Sequence, residues 1–136
     1  MIQSYSQNTT VLTNSDISFN NTFVKGKTVK QVGSSTFQFN KKGLYLVTFN
    51  GFGSTAGTAG NVAVQMVKDG VLVPEAQTVN TSSGTTDIET LTFTTKVQVP
   101  HDNSECCNVS PTVVSFRNVG VEAVFTLANV VITKVC

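Results

Sequence analysis

The sequence predicts an all-β domain, built as a sandwich or barrel of short antiparallel strands. The 136 residues include twenty-two Val, twenty Thr and nine Phe, which are residue types that favour strands. Apolar and polar residues alternate with a period of two along much of the chain, and helical periodicity is absent. Turn signals separate the predicted strands about every ten residues. We therefore expect one domain covering residues 1–136, with one hydrophobic core.

The first thirty residues predict two or three short strands, because brief apolar groups alternate there with Asn, Ser, Thr and Gly. These groups are Val11-Leu12, Ile17, Phe19 and Phe23-Val24. Two runs follow in which every second residue is apolar, separated by a turn at residues 41–43. The alternating residues are Phe37 and Phe39 in the first run, and Tyr45, Val47 and Phe49 in the second. We expect these runs to form a hairpin with an aromatic inner face.

The middle of the chain predicts a hairpin between two loops. Residues 51–60 are mostly Gly, Ser, Thr and Ala, and residues 80–86 are Asn, Ser, Thr and Gly, so both segments are predicted loops. Between them Asp69-Gly70 joins two apolar runs, and this pair is typical of a two-residue hairpin turn because both positions need positive φ. Residues 91–99 then alternate, which predicts a strand with one dry and one wet face.

The closing segment, residues 123–135, is apolar at both parities. Phe125, Leu127 and Val131 fall on one parity, and Val124, Ala128, Val130 and Ile132 fall on the other. A strand that is apolar on both faces is expected to be covered on both. We therefore predict that this strand contributes to a contact between subunits.

The charge distribution argues against nucleic acid and membranes as partners. Charged residues make up 12% of the chain, against roughly 25% in soluble domains, and the formal net charge is +1. Lys and Arg are scattered, so no basic stripe is available for a phosphate backbone or an anionic lipid surface. No apolar run approaches the roughly 18 residues that span a bilayer, and the N-terminus lacks the pattern of a secretion signal. We expect a protein that stays inside the cell that makes it, or leaves that cell as part of a larger particle or by lysis.

One stretch of the chain carries a family signature. Phe37 followed by Gly43-Leu44-Tyr45-Leu46-Val47-Thr48-Phe49 resembles the signature of the complement-component-one-q and tumour-necrosis-factor-like superfamily, with Val47 in place of its middle aromatic residue. Residues 64–73, with their Lys-Asp-Gly turn, are similar to later strands of that family. So are residues 114–135, with a hairpin turn at 118–120. The chain looks especially like small bacterial and phage members, which are similar to the tips of collagen-like spore-surface proteins and to virion decorations.

This resemblance implies a jelly-roll β-sandwich of about ten antiparallel strands that packs as a homotrimer about a threefold axis. It also implies that partners bind at outer loops or in clefts between subunits. The residues expected at the trimer interface are Tyr45, Val124, Phe125, Leu127, Val130 and Ile132.

The three cysteines are the most unusual feature of the sequence. Cys106 and Cys107 are adjacent, and Cys136 ends the chain. If residues 118–120 join paired strands, Cys106 falls opposite Thr133 and near Cys136. Because three is an odd number, at least one thiol per chain is left for a neighbouring subunit, a metal or no partner. The open alternatives are a disulfide between subunits, free thiols, or a zinc site completed by His101, although the vicinal pair lacks Cys-x-x-Cys spacing.

The sequence disfavours an enzyme and predicts no cofactor. His101, the single His, lies in a polar segment after a predicted strand, and neither a Gly-x-Ser-x-Gly motif nor a paired-carboxylate pattern is present. The leading hypothesis is a trimeric phage virion component, such as a capsid decoration, head fibre or tail-tip module bound to a larger assembly. The alternative is a bacterial cell- or spore-surface module that binds a glycan or a host protein through the loops at residues 51–60 and 80–87. The contact residues expected in these loops are Phe52, Thr55, Thr58, Ser83 and Thr85.

Overall fold

A computed structural model describes residues 1–102 and 110–136, and within them the chain forms ten strands in two five-stranded sheets. The strands are β1 (Ile2–Val11), β2 (Asn21–Val24), β3 (Val29–Val32), β4 (Thr36–Phe39), β5 (Gly43–Thr55), β6 (Gly60–Lys68), β7 (Val71–Ser82), β8 (Glu89–Val99), β9 (Thr112–Asn118) and β10 (Ala123–Lys134). Sheet one has the order β2-β1-β10-β5-β8, and sheet two has the order β3-β4-β9-β6-β7. Neighbouring strands are antiparallel, so the predicted all-β jelly-roll sandwich is confirmed. The described chain contains no helix long and apolar enough to cross a membrane.

The predicted hairpin at Asp69-Gly70 is confirmed. β6 and β7 pair, with Lys68 opposite Val71, and the two turn residues have φ values of 51° and 83°. These positive values are the backbone conformation that a tight two-residue hairpin requires. The Asp69 carboxylate also accepts a hydrogen bond from the Val113 amide at 3.0 Å, which ties the turn to β9.

Two other predicted hairpins are wrong, because the chain crosses between the sheets at those turns. β4 belongs to sheet two and β5 to sheet one, so residues 41–43 join strands that do not pair. The same is true of β9 and β10, which flank the turn after residue 118. The buried Asn118 stabilises this second crossing: its amide donates to the carbonyl oxygens of Val11 and Val121, both at 2.9 Å, and accepts from the Gly120 amide at 2.9 Å.

The core lies between the sheets and is built from alternate strand positions. It contains the aromatic residues that were predicted to share an inner face, and they are fully buried: Phe37, Phe39, Tyr45 and Phe49. Phe116 of β9 lies among several of these rings. Its centroid is 5.8 to 6.1 Å from the ring centroids of Phe19, Phe37, Phe49 and Phe93. Because Phe49 and Phe93 belong to sheet one, this ring packs the two sheets against each other.

A single side chain joins the sheets at the edge where β2 and β3 lie. Gln31 of β3 donates from Nε2 to the carbonyl oxygens of Phe19 at 2.9 Å and Ser34 at 3.0 Å. Its Oε1 accepts from the hydroxyl of Ser4 at 2.6 Å and from that of Thr22, which belong to sheet one. These four bonds use the full hydrogen-bonding capacity of the amide group.

β10 shows why apolar residues occupy both parities near the end of the chain. A β-bulge between Phe125 and Leu127 inserts one residue relative to β5. The core-facing positions therefore change parity within the strand. The buried positions are Ala123 and Phe125 before the bulge, and Ala128, Val130 and Ile132 after it. The other positions, including Leu127 and Val131, lie on the opposite side of sheet one.

Candidate functional site

The candidate site is the outer face of sheet one, meaning the side of that sheet that points away from sheet two. The antiparallel register places side chains of neighbouring strands in rows across this face. One row contains Tyr5, Asn129, Asn50 and Thr92. The row on one side of it contains Gln3, Val131, Thr48 and Thr94, and the row on the other side contains Gln7, Leu127, Phe52 and Thr90. The outer face therefore mixes apolar residues with neutral polar ones.

Several large apolar side chains on the outer face are uncovered. Phe23 is 58% exposed, Phe52 44%, Tyr5 38% and Leu46 37%. Among the described strand residues that point to this side, Lys96 is the only charged one. The buried centre of a subunit interface is depleted of charge and enriched in aromatic residues, and the outer face has that composition. An uncovered apolar surface of this kind is a candidate for contact with another chain.

Four of the six residues predicted at the trimer interface lie elsewhere. Tyr45, Phe125, Val130 and Ile132 point into the core and are fully buried within one chain. They have no surface to offer to a second subunit, so this part of the prediction is corrected. The two remaining residues, Val124 and Leu127, are half-buried and lie on the outer face. The prediction took residues from both parities of β10, because both are apolar, and most of the residues that it took fill the core.

Leu46 and Phe52 occupy outer-face positions that were not predicted to form the interface. Each lies between two core-facing residues of β5, at a parity where alternation predicts a polar side chain. A large apolar residue at such a position was the signal available in the sequence. The strand order was also needed, because only the pairing of β5 with β10 brings Phe52 beside Leu127.

The predicted binding loop at residues 51–60 is shorter than expected, because β5 continues through Thr55. Phe52 therefore lies on the outer face of sheet one instead of in a loop. Thr55 is fully buried, and its backbone amide donates to the Ser82 hydroxyl at 3.3 Å. These two residues are thus separated from the remaining predicted loop contacts.

Those remaining contacts, Thr58, Ser83 and Thr85, are exposed at one end of the sandwich, called the loop end here. The loops at residues 56–59 and 83–88 meet there because Gly60 pairs with Ser82. A depression of about 370 Å³ at the loop end is lined by Ala56, Gly57, Thr58, Val121 and Glu122. Its lining includes one carboxylate and no aromatic ring, which gives a saccharide little to stack on.

The structure bears on only part of the predicted cysteine cluster. Cys106 and Cys107 lie outside the described residues, whereas Cys136 is a free, exposed thiol. The register argument that placed Cys106 near Cys136 is wrong, because β9 and β10 belong to different sheets. His101 is exposed just after β8. Within residues 1–102 and 110–136, no three His, Cys, Asp or Glu side chains are grouped as a metal site would require.

Tyr45 holds the crossing between β4 and β5. Its hydroxyl donates to the Lys41 carbonyl oxygen at 2.6 Å, and its ring packs edge-on against Phe39 with centroids 4.6 Å apart. Burial raises the pKa of the Tyr45 phenol above its ordinary value of 10.0, and the negative charge of Asp102 acts in the same direction. Asp102 in turn accepts a hydrogen bond from the Lys42 amide at 2.6 Å. These contacts position the backbone of the crossing.

Comparison with known proteins identifies the fold. No family model matches the sequence, and a search of curated proteins finds no similar sequence. Among solved structures, the chain is similar to Eiger TNF from S. frugiperda, with 9% identity, a TM-score of 0.63, and coverage of 100% of this chain and 92% of that one. It is also similar to murine APRIL, with 8% identity, a TM-score of 0.60 and 98% of each chain covered. The PRD1 vertex protein P5 aligns over 99% of this chain and 96% of its own at 12% identity, but its TM-score of 0.48 adds nothing to a functional argument.

Proposed function

Because this chain folds as a jelly roll of the tumour-necrosis-factor and complement-component-one-q type, we propose that it is a non-enzymatic structural module that forms a homotrimer. The observation that carries the proposal is the outer face of sheet one. Exposed apolar side chains interrupt its neutral polar rows, and Lys96 is the one charge among its described strand residues. Covering such a face with other copies of the same chain removes apolar area from water without burying many charges.

The self-association patch is centred on β5 and β10. Leu46, Phe52, Leu127 and Val131 lie on these two paired strands, with Val124 toward the loop end. Because the face lies on a rigid sheet, its side chains are already positioned for contact and lose little freedom on assembly. Closed point-group symmetry lets each copy use the same patch without leaving an open end for further growth.

Within this role we place the trimer on the surface of a phage particle, as a capsid decoration, head fibre or tail-tip module. A trimer closed by apolar strand faces unfolds slowly and exposes few sites to proteases, which suits a component displayed outside a cell. Detection of the chain by mass spectrometry in density-purified virions would support this placement. Its absence from the particles, with the chain present in the lysate from which they were made, would contradict it.

The trimer is tested by measuring molar mass at micromolar concentration with light scattering and sedimentation. The unmodified chain is expected to have three times the mass of one chain. Phe52→Glu and Leu46→Glu place a carboxylate in the patch and are expected to shift the mass to one chain, because an unpaired charge would be buried on assembly. The matched control is Val71→Glu on edge strand β7, since Val71 is 68% exposed on the other sheet. If the unmodified chain is monomeric, or if all three variants change the molar mass equally, the assignment of the trimer contact to this patch is refuted.

A second candidate function is recognition of a glycan or a host protein at a bacterial cell or spore surface. The loop end was the predicted contact region for this function, with Thr58, Ser83 and Thr85 exposed there. The depression at that end has no aromatic lining, as described above. If the protein binds a glycan, a different part of the surface has the better chemistry.

A further inference from the structure

We infer that the depression between β1 and β2 is a binding site for one ring of a neutral saccharide. This β1–β2 depression has a volume of about 320 Å³ and is lined by Gln3, Tyr5, Asn21, Thr22 and Phe23. Its volume is at the low end of the roughly 300–1,000 Å³ usual for small-molecule sites, which suits a single sugar ring better than an extended chain. The site is formed within one subunit, so the inference does not depend on the proposed trimer.

Two exposed aromatic rings form the apolar part of this site. In the register of β1 with β2, Gln3 lies opposite Phe23 and Tyr5 lies opposite Asn21. Each ring is therefore beside an amide side chain, and the two rings are diagonal neighbours on one side of the sheet. Phe23 is 58% exposed and Tyr5 38%. A pyranose ring has an apolar face of C–H groups and a rim of hydroxyls, so it can stack on such a ring while its hydroxyls meet the neighbouring amides.

Hydrogen bonds hold the polar part of the site in place. Gln3 donates from Nε2 to Asn129 Oδ1 at 3.1 Å, and Asn129 donates from Nδ2 to Asn50 Oδ1 at 3.3 Å. This chain of amides orients Gln3 and directs its donor away from the site, which leaves the carbonyl oxygen to accept from a ligand hydroxyl. Thr22 lies opposite the buried Ser4, and its hydroxyl bonds Ser4 and Gln31 on the core side of the sheet, so these contacts anchor β2 and are not offered to a ligand.

The charges around the site favour a neutral ligand. The lining side chains include two amides and two aromatic rings, and none of the lining residues carries a carboxylate, ammonium or guanidinium group. An anionic sugar such as a sialic acid would be expected to require Arg or Lys in the wall. The amide and aromatic groups instead match a hexose or an N-acetylhexosamine.

The site borders the self-association patch, because Gln3 of β1 lies directly opposite Val131 of β10. β2 is the edge strand of sheet one, and β10 and β1 separate it from β5. The self-association patch on β5 and β10 can therefore be disrupted without removing Tyr5 or Phe23. Molar mass measured beside glycan binding separates a failure of assembly from a failure of binding.

The test is binding of the full chain to an array of immobilised neutral hexoses and N-acetylhexosamines, with sialylated glycans on the same array. The expected result is binding to at least one neutral glycan. Tyr5→Ala and Phe23→Ala are each expected to weaken binding about tenfold, through loss of one stacking surface. Val71→Ala is the control, because Val71 is an exposed apolar residue on the other sheet, outside both the depression and the self-association patch.

Three results would overturn the inference: no binding to any neutral glycan, preferential binding to sialylated glycans, or equal weakening by all three variants. Molar mass is measured on the same samples. If Tyr5→Ala or Phe23→Ala dissociates the assembly and no glycan binds, the two rings belong to the subunit contact and not to a saccharide site. If glycan binding is as expected while the unmodified chain is monomeric, the proposed trimer fails and the saccharide site stands.

Discussion

Replacing Phe116 by alanine is expected to lower the free energy of unfolding by about 4 kcal/mol, within the range of roughly 3–5 kcal/mol for a buried Phe. The Phe116 side chain is fully buried, so its whole free energy of transfer from water into the core is lost. The cavity would be bounded by four aromatic rings within 6.1 Å, contributed by both sheets. Such rigid walls cannot easily collapse into the space, which keeps the loss in the upper part of the range. A domain with about 5–15 kcal/mol of stability would lose a large fraction of it.

Urea denaturation followed by circular dichroism measures this loss, at one fixed chain concentration because association changes the apparent stability. Phe116→Leu keeps most of the buried volume and is expected to lose less than about 2 kcal/mol. Phe23→Ala, which removes an exposed ring, is expected to change stability by less than about 0.5 kcal/mol. Equal losses for Phe116→Ala and Phe23→Ala would refute the assignment of Phe116 to the centre of the core.

Two further predictions concern the crossings between the sheets. Asn118→Ala removes three hydrogen bonds at the β9–β10 crossing, so we expect a loss of about 3 kcal/mol in the same denaturation assay; a loss below about 1 kcal/mol would show that water or the backbone replaces those bonds. At the β4–β5 crossing, the pKa of Tyr45 is higher in the folded chain than in the unfolded chain. The contribution of Tyr45 to the free energy of unfolding is therefore complete below pH 10, and it is lost as the pH rises through the pKa of Tyr45 in the folded chain. Tyr45→Phe is therefore expected to flatten the fall in stability above pH 10, and identical pH profiles for the two proteins would contradict this.

The fold class followed from local patterns, whereas the pairing of strands did not. The alternation at Phe37, Phe39, Tyr45 and Phe49 predicted the core face correctly, because burial of one strand face is a local property. The Asp69-Gly70 pair was also sufficient to predict a hairpin, because the positive φ values of both residues produce a tight turn. The turns at residues 41–43 and 118–120 reverse the chain equally well but lead into the opposite sheet. Whether a reversal pairs strands or crosses between sheets depends on long-range packing that a turn sequence does not encode.

The candidate site was harder to predict, for a geometrical reason. The bulge before Leu127 moves the core face of β10 from one parity to the other, so a strict period of two misassigns residues beyond it. Apolar residues at both parities suggested a strand covered on both faces, whereas Val130 and Ile132 fill the core because the bulge shifts the core face to their parity. The β1–β2 depression depends on the register that places Phe23 beside Gln3, twenty residues apart in sequence. No single-strand pattern contains that information.

The four bonds of Gln31 determine how the sandwich opens at the edge formed by β2 and β3. Its partners come from β1, from β2, from the segment before β2 and from the turn after β3. An edge strand held only by its ladder can fray residue by residue from its end. At this edge, separation of the two sheets breaks both hydrogen bonds that Gln31 accepts from Ser4 and Thr22 at the same time. The two bonds that Gln31 donates to Phe19 and Ser34 hold the flanking loops in place until Gln31 itself moves. Opening of this edge is therefore expected to be a concerted event, and the amides of β2 and β3 should exchange with solvent as one unit.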